Sequence, residues 1–114
     1  MSDLTRLKCV PCKGNLPALT AEEIAEFQPV PQWEVTEEEG TLRLQRTFRF
    51  KNFSSALSFT NRVGLAAEEE DHHPMLQTEW GKVTVSWWTH AISGLHQNDF
   101  IMAAKTDALY KDIN

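Results

Sequence analysis

The residues most able to do chemistry in this sequence are its histidines. Three of the four stand out: His72 and His73 as a pair before Pro74, and His90 at the end of a strand-like run. Histidine is the side chain whose ordinary pKa, about 6.5, makes both protonation states available near neutral pH. Several imidazoles without a nucleophile beside them suit proton shuttling. Pro74 biases His73 towards an extended backbone, and neighbours on an extended chain send their side chains in opposite directions. His72 and His73 are therefore expected to do different jobs. One faces the reactive space, and the other reaches it from another angle or makes a supporting hydrogen bond. His96 reads as an ordinary surface residue.

Other chemistries fit poorly. The acidic run Glu68-Glu69-Glu70-Asp71 beside the pair invites a metal. There is no His-Glu-x-x-His, however, and Glu68 with His72 offers only two ligands on one helical face. No functional metal is expected, and the run reads as a solvated helix end. Cys9-Val10-Pro11-Cys12 is a C-x-x-C with no second such pair, so a structural zinc finger is weakly supported. A redox role would want the pair between a strand and a helix, which this stretch does not offer. Plain thiols are the expectation, with metal or disulfide chemistry as the alternative. Without a Gly-rich phosphate loop or a G-x-S-x-G element, nucleotide cofactors and Ser-hydrolase chemistry drop out.

The bulk properties are those of one small globular domain. The chain has 114 residues, 41% of them hydrophobic and 24% charged, enough for one domain with a core. Its formal net charge of −5 disfavours nucleic acid as a partner. No apolar run nears the ~20 residues of a membrane span. The start, Met-Ser-Asp-Leu-Thr-Arg, lacks an apolar signal segment, so a cytoplasmic location is expected.

The elements that must hold the histidines can be read along the chain. Residues 1–19, with two cysteines and Pro11 and Pro17, read as an irregular N-terminal arm, and 20–114 as a single domain. Thr20-Ala21-Glu22-Glu23 is a capping box opening a short helix, with Ile24 and Phe27 on one face, that ends before Pro29. Trp33 and Val35 alternate with polar residues, as do Leu42, Leu44, Phe48 and Phe50, which predicts a hairpin with its tip at Glu37–Gly40. Asn52 or Ser54 caps a longer helix with Phe53, Ala56, Leu57, Thr60, Val63, Gly64 and Ala67 on its apolar face. A second hairpin turns at Trp80-Gly81, with strands over 75–79 and 82–89. A last helix starts near Asn98-Asp99. The expected fold class is α+β: a four-stranded antiparallel sheet with helices packed on one face, in the order α-β-β-α-β-β-α.

The spacing of these residues resembles a known signature. Glu68, then His72-His73-Pro74, Trp80, Thr89-His90, Gly94-Leu95 and Asp99 together resemble the pterin-4a-carbinolamine dehydratases, and the likeness runs from about Thr20 to the end. It implies dehydration of 4a-hydroxytetrahydropterin to the quinonoid dihydropterin, which recycles the cofactor of aromatic amino acid hydroxylases. On this resemblance the catalytic residues are His72, His73 and His90, and the substrate-binding residues are Glu68, Trp80 and Asp99. Two positions depart from the pattern. His96 stands where a helix-capping Ser or Thr is frequent, and Leu76 where some members carry an aromatic.

Loss of the 4a-hydroxyl needs a proton delivered to the departing oxygen while the N5 proton leaves. Imidazoles serve as acid and base in such steps, each worth roughly 10²–10⁴-fold. No metal or organic cofactor is required. His72 and His90 are assigned to proton transfer, and His73 and Asp99 to positioning substrate or orienting an imidazole. A flat pterin can lie against Trp80 or Trp88, core burial being the other fate for either. The resemblance points to a pterin as the small-molecule partner and to a homo-oligomer. A dimer is favoured, since a sheet with helices on one face leaves edge strands open to pairing. The alternative is a non-catalytic dimerisation module related to transcriptional coactivators.

Overall fold

In the computed structural model the described residues are 19–26 and 32–113. The readings of Cys9, Cys12, Phe27, Pro29 and the arm before Leu19 lie outside them. The elements run α1 (Ala21–Glu26), β1 (Glu34–Glu38), β2 (Thr41–Arg49), α2 (Phe53–Glu70), β3 (Met75–Glu79), β4 (Lys82–Trp87), a 3₁₀ turn (His90–Ile92) and α3 (Gln97–Ile113). The order and the sheet agree with the sequence expectation. Four antiparallel strands lie in the spatial order β1-β2-β4-β3.

Local chemistry explains the boundaries. In the capping box of α1, Glu23 N–H donates to Thr20 Oγ1 at 3.2 Å and Thr20 N–H to Glu23 Oε1 at 3.0 Å. Asn52 caps α2 by accepting from Ser55 N–H at 2.8 Å. The β1–β2 turn is narrower than the acidic run suggested. Glu37 and Glu38 belong to β1, and only Glu39 and Gly40, at φ 50° and 83°, make the reversal.

Both helices α2 and α3 pack on one face of the sheet. Leu44 and Phe48 of β2, with Val83, Val85 and Trp87 of β4, meet Ala56, Phe59, Val63 and Ala67 of α2 and Phe100, Ile101, Met102 and Ala103 of α3. The apolar face read from the sequence for α2 is rotated from the true one. Phe59 is fully buried against Phe48 and Phe50, whereas Phe53 and Leu57 are each 44% exposed. Periodicity fixes that a stripe exists, but two overlapping stripes one position apart satisfy it equally, and the sheet selects the one carrying the larger ring. Asp107 of α3 ties down the opposite flank, accepting from Trp33 Nε1 at 3.0 Å and from Arg46 at 2.6 Å.

Candidate active site

The histidine pair is placed by the way α2 stops. Asp71 adopts the left-handed conformation (φ 51°), its N–H donating to Glu68 O, and His72 N–H reaches back to Ala67 O at 3.1 Å. This pair of bonds is a Schellman turn, with Asp in the position usually held by Gly. It commits the chain to leave the helix at His72. Pro74 then starts the run into β3, so the two imidazoles emerge at a defined point above the sheet.

The two rings diverge, as the extended backbone predicts. His72 is buried, at 8% exposure. Its Nε2 lies 2.7 Å from Oδ1 of Asp99, and its ring stacks on Trp87 with centroids 5.8 Å apart and planes 10° apart. Trp87 is itself held from behind, donating Nε1–H to Thr106 Oγ1 on α3. His73 faces outward, its side chain half exposed, and its Nε2 lies 3.1 Å from Glu68 Oε1. His73 is thus the exposed member of the pair, and His72 the buried one, held between Asp99 of α3 and the Trp87 ring.

His90 arrives from the other end of the hairpin. The strand does not persist to His90, as a continuing alternation would require. It ends at Trp87, and an isolated bridge between Thr89 and Gly94 closes a small loop holding the 3₁₀ turn. His90 begins that turn, exposed, and its Nε2 donates to the backbone carbonyl of His73 at 3.3 Å. Its ring packs at 4.5 Å on Trp88, over which the Arg43 guanidinium lies at 3.9 Å. Trp88 is thus already engaged by two side chains of the protein.

Asp99 is the hub. It is fully buried and, among the described residues, accepts hydrogen bonds from His72, from Thr89 Oγ1 (2.8 Å) and from His96 N–H (2.9 Å). The last of these is half of a capping box for α3. The other half is unusual: His96 Nδ1 accepts from Asn98 N–H at 3.1 Å, an imidazole doing what a Ser or Thr oxygen does elsewhere. His96 is therefore a helix cap rather than a spare surface residue, and α3 begins at Gln97.

The structure brings together His72, His73, His90, Glu68 and Asp99. It does not bring Trp80. That residue is 74% exposed at the far turn of the β3–β4 hairpin, and the length of β3, roughly 13 Å at ~3.3 Å per residue, lies between. Three contributors were not singled out for chemistry by the sequence. Thr89 was visible only as the neighbour of His90, Trp87 only as part of the strand expected over 82–89, and Arg43 carries no signal until the strand register sets it beside Trp88. Among the described residues, no group of three His, Cys, Asp or Glu side chains is placed to hold a metal ion. Nor is any described helix long and apolar enough to cross a membrane.

A four-stranded sheet backed by two long helices carries a cluster of imidazoles and carboxylates at one end. Comparison with known proteins names the class: residues 17–109 match the family model for pterin 4 alpha carbinolamine dehydratase. A relative in Microcystis aeruginosa, provisionally named as such a dehydratase, is 56% identical over 115 residues, covering 100% of this chain and 99% of its own. One from Gloeobacter violaceus, named in the same way, is 57% identical over 108 residues, covering 94% and 93%. The crystal structure of a transcriptional coactivator/pterin dehydratase from Brucella melitensis superposes with a TM-score of 0.73 at 33% identity, covering 81% of this chain and 97% of that one. This chain belongs to the pterin-4a-carbinolamine dehydratase family.

Proposed function

We propose that this protein is a 4a-hydroxytetrahydrobiopterin dehydratase, a hydro-lyase that recycles the cofactor of an aromatic amino acid hydroxylase. In the reaction the C4a–O bond breaks, the leaving oxygen takes a proton and departs as water, and N5 loses its proton as the C4a=N5 bond forms. Family membership supports the substrate class. The observation that carries the chemistry is the way the three imidazoles are held. Each commits Nε2 to an acceptor: Asp99 for His72, Glu68 for His73 and the His73 carbonyl for His90. Carboxylate and carbonyl oxygens only accept, so each neutral ring carries its proton on Nε2 and presents the Nδ1 lone pair.

In this reading His72 and His90 move the protons: one enters neutral and takes the N5 proton on Nδ1, while the other enters as the imidazolium and gives its Nδ1 proton to the leaving oxygen. Asp99 fixes the tautomer of His72, and its negative charge stabilises the imidazolium that forms when Nδ1 takes a proton. His73 and Glu68, both exposed, position the pterin. The working unit is a homodimer in the cytoplasm. Its support is that β1 and β3 are edge strands and that α2 carries Phe53, Leu57 and Leu65 on its exposed side.

The test is dehydration of freshly generated 4a-carbinolamine by the purified protein, followed by absorbance. Acceleration above the spontaneous rate is expected, and a folded protein that gives none refutes the reading. The Brucella melitensis structure, whose description also names a transcriptional coactivator, favours the second reading, a non-catalytic dimerisation module. The same assay separates the two.

A further inference from the structure

We propose that Thr89 is a positioning residue of this site, whose hydroxyl aims the Asp99 carboxylate at His72 and joins that pair to the turn carrying His90. The inference rests on the dehydratase reading for its kinetic consequence and on geometry for the rest. Thr89 is 2% exposed and Asp99 not at all, so every lone pair of this carboxylate depends on the protein for a partner. Oδ1 faces His72, while Oδ2 takes two donors, Thr89 Oγ1 and His96 N–H.

The two Oδ2 donors are not equivalent. His96 lies immediately before α3, in the same capping box as Asp99, and moves with that helix. Thr89 comes from the sheet side, two residues beyond the Trp87 ring on which His72 stacks. Only the Thr89 hydroxyl therefore refers the carboxylate to the strand that supports the imidazole. The backbone of Thr89 is itself locked by the bridge to Gly94, with N–H to O at 2.8 Å. It also directly precedes His90, so one residue sets the aim of the acid behind His72 and the start of the turn that presents the second imidazole.

The experiment compares Thr89→Val, which keeps the shape and removes the donor, with Thr89→Ser, which keeps the donor. Turnover and the ¹⁵N signals of the His72 ring are read together. Thr89→Val is expected to lower kcat about 10- to 100-fold while KM stays within about threefold, because misaiming a proton-transfer group is felt in the transition state. The neutral His72 ring should lose its single Nε2–H pattern and average over both tautomers, and Thr89→Ser should restore both readouts. Thr89→Ala is the second variant should the valine not fold, and the same pattern is expected of it. A folded variant lacking the hydroxyl, with wild-type kcat or an unchanged His72 tautomer pattern, overturns the proposal. A wild-type protein that does not dehydrate the carbinolamine sinks the functional reading instead, and the ring signals then still decide the role of Thr89.

Discussion

Replacing Asp99 by asparagine tests the heart of the site with a change of almost no volume. The two donors on Oδ2, Thr89 Oγ1 at 2.8 Å and His96 N–H at 2.9 Å, require an acceptor, so the amide oxygen of the new side chain must take that side. The amide NH₂ then occupies the place of Oδ1, 2.7 Å from His72 Nε2. Two donors cannot face each other at that distance, so His72 must move its proton to Nδ1 and accept at Nε2. The nitrogen left for substrate becomes a donor where a lone pair was needed, and the negative charge behind the ring is gone. In Ser–His–Asp sites the same inversion costs about 10⁴ in kcat. With a second imidazole still in place here, a loss of about 10²–10⁴ is expected. Stability should fall by about 1–3 kcal/mol, the range for a disturbed buried hydrogen bond, well inside the roughly 5–15 kcal/mol of a domain. The assay is steady-state dehydration, with circular dichroism as the folding control and ring ¹⁵N shifts as the tautomer readout. A folded Asp99→Asn protein retaining wild-type turnover would refute the reasoning from Asp99 to His72.

The other expectations follow from where each group sits. His72→Ala and His90→Ala should both lower kcat far more than they raise KM, whereas His73→Ala should chiefly raise KM. Calorimetry separates the first two: His72→Ala strips a buried carboxylate of a donor and should lower Tm by about 4 °C or more, while exposed His90→Ala should leave it within about 2 °C. Turnover should survive exhaustive chelation with EDTA, since no three ligating side chains among the described residues converge; loss of activity restored by zinc or iron would contradict this. Light scattering at micromolar concentration should report twice the monomer mass, and a monomer would refute the dimer.

Much of the architecture was legible because it rests on short-range rules. The capping box at Thr20, the Asn52 cap of α2 and the alternation in β2 depend on residues a few positions apart, and the structure keeps them. The site was legible in a different way. The histidines were picked out by type and spacing, and the divergence of His72 and His73 followed from the proline after them. Which of the pair is buried did not follow, because burial is decided by α3 folding over the end of the sheet.

The sequence by itself determined the order of elements, the hairpins, the residues able to exchange protons, and the family, since each is carried by local pattern or by motif. Tertiary structure alone decided the rest. It put Phe59 rather than Phe53 and Leu57 into the core, since only the sheet can choose between two helical stripes. It left Trp80 at the far end of a hairpin whose length no motif spacing expresses. It also joined Asp99, Thr89 and His72, which come from α3, the end of β4 and the end of α2. Hydrogen bonds of 2.7 and 2.8 Å to a carboxylate shut away from water need atoms placed to a fraction of an ångström. That placement comes from the packing of two helices on one sheet face.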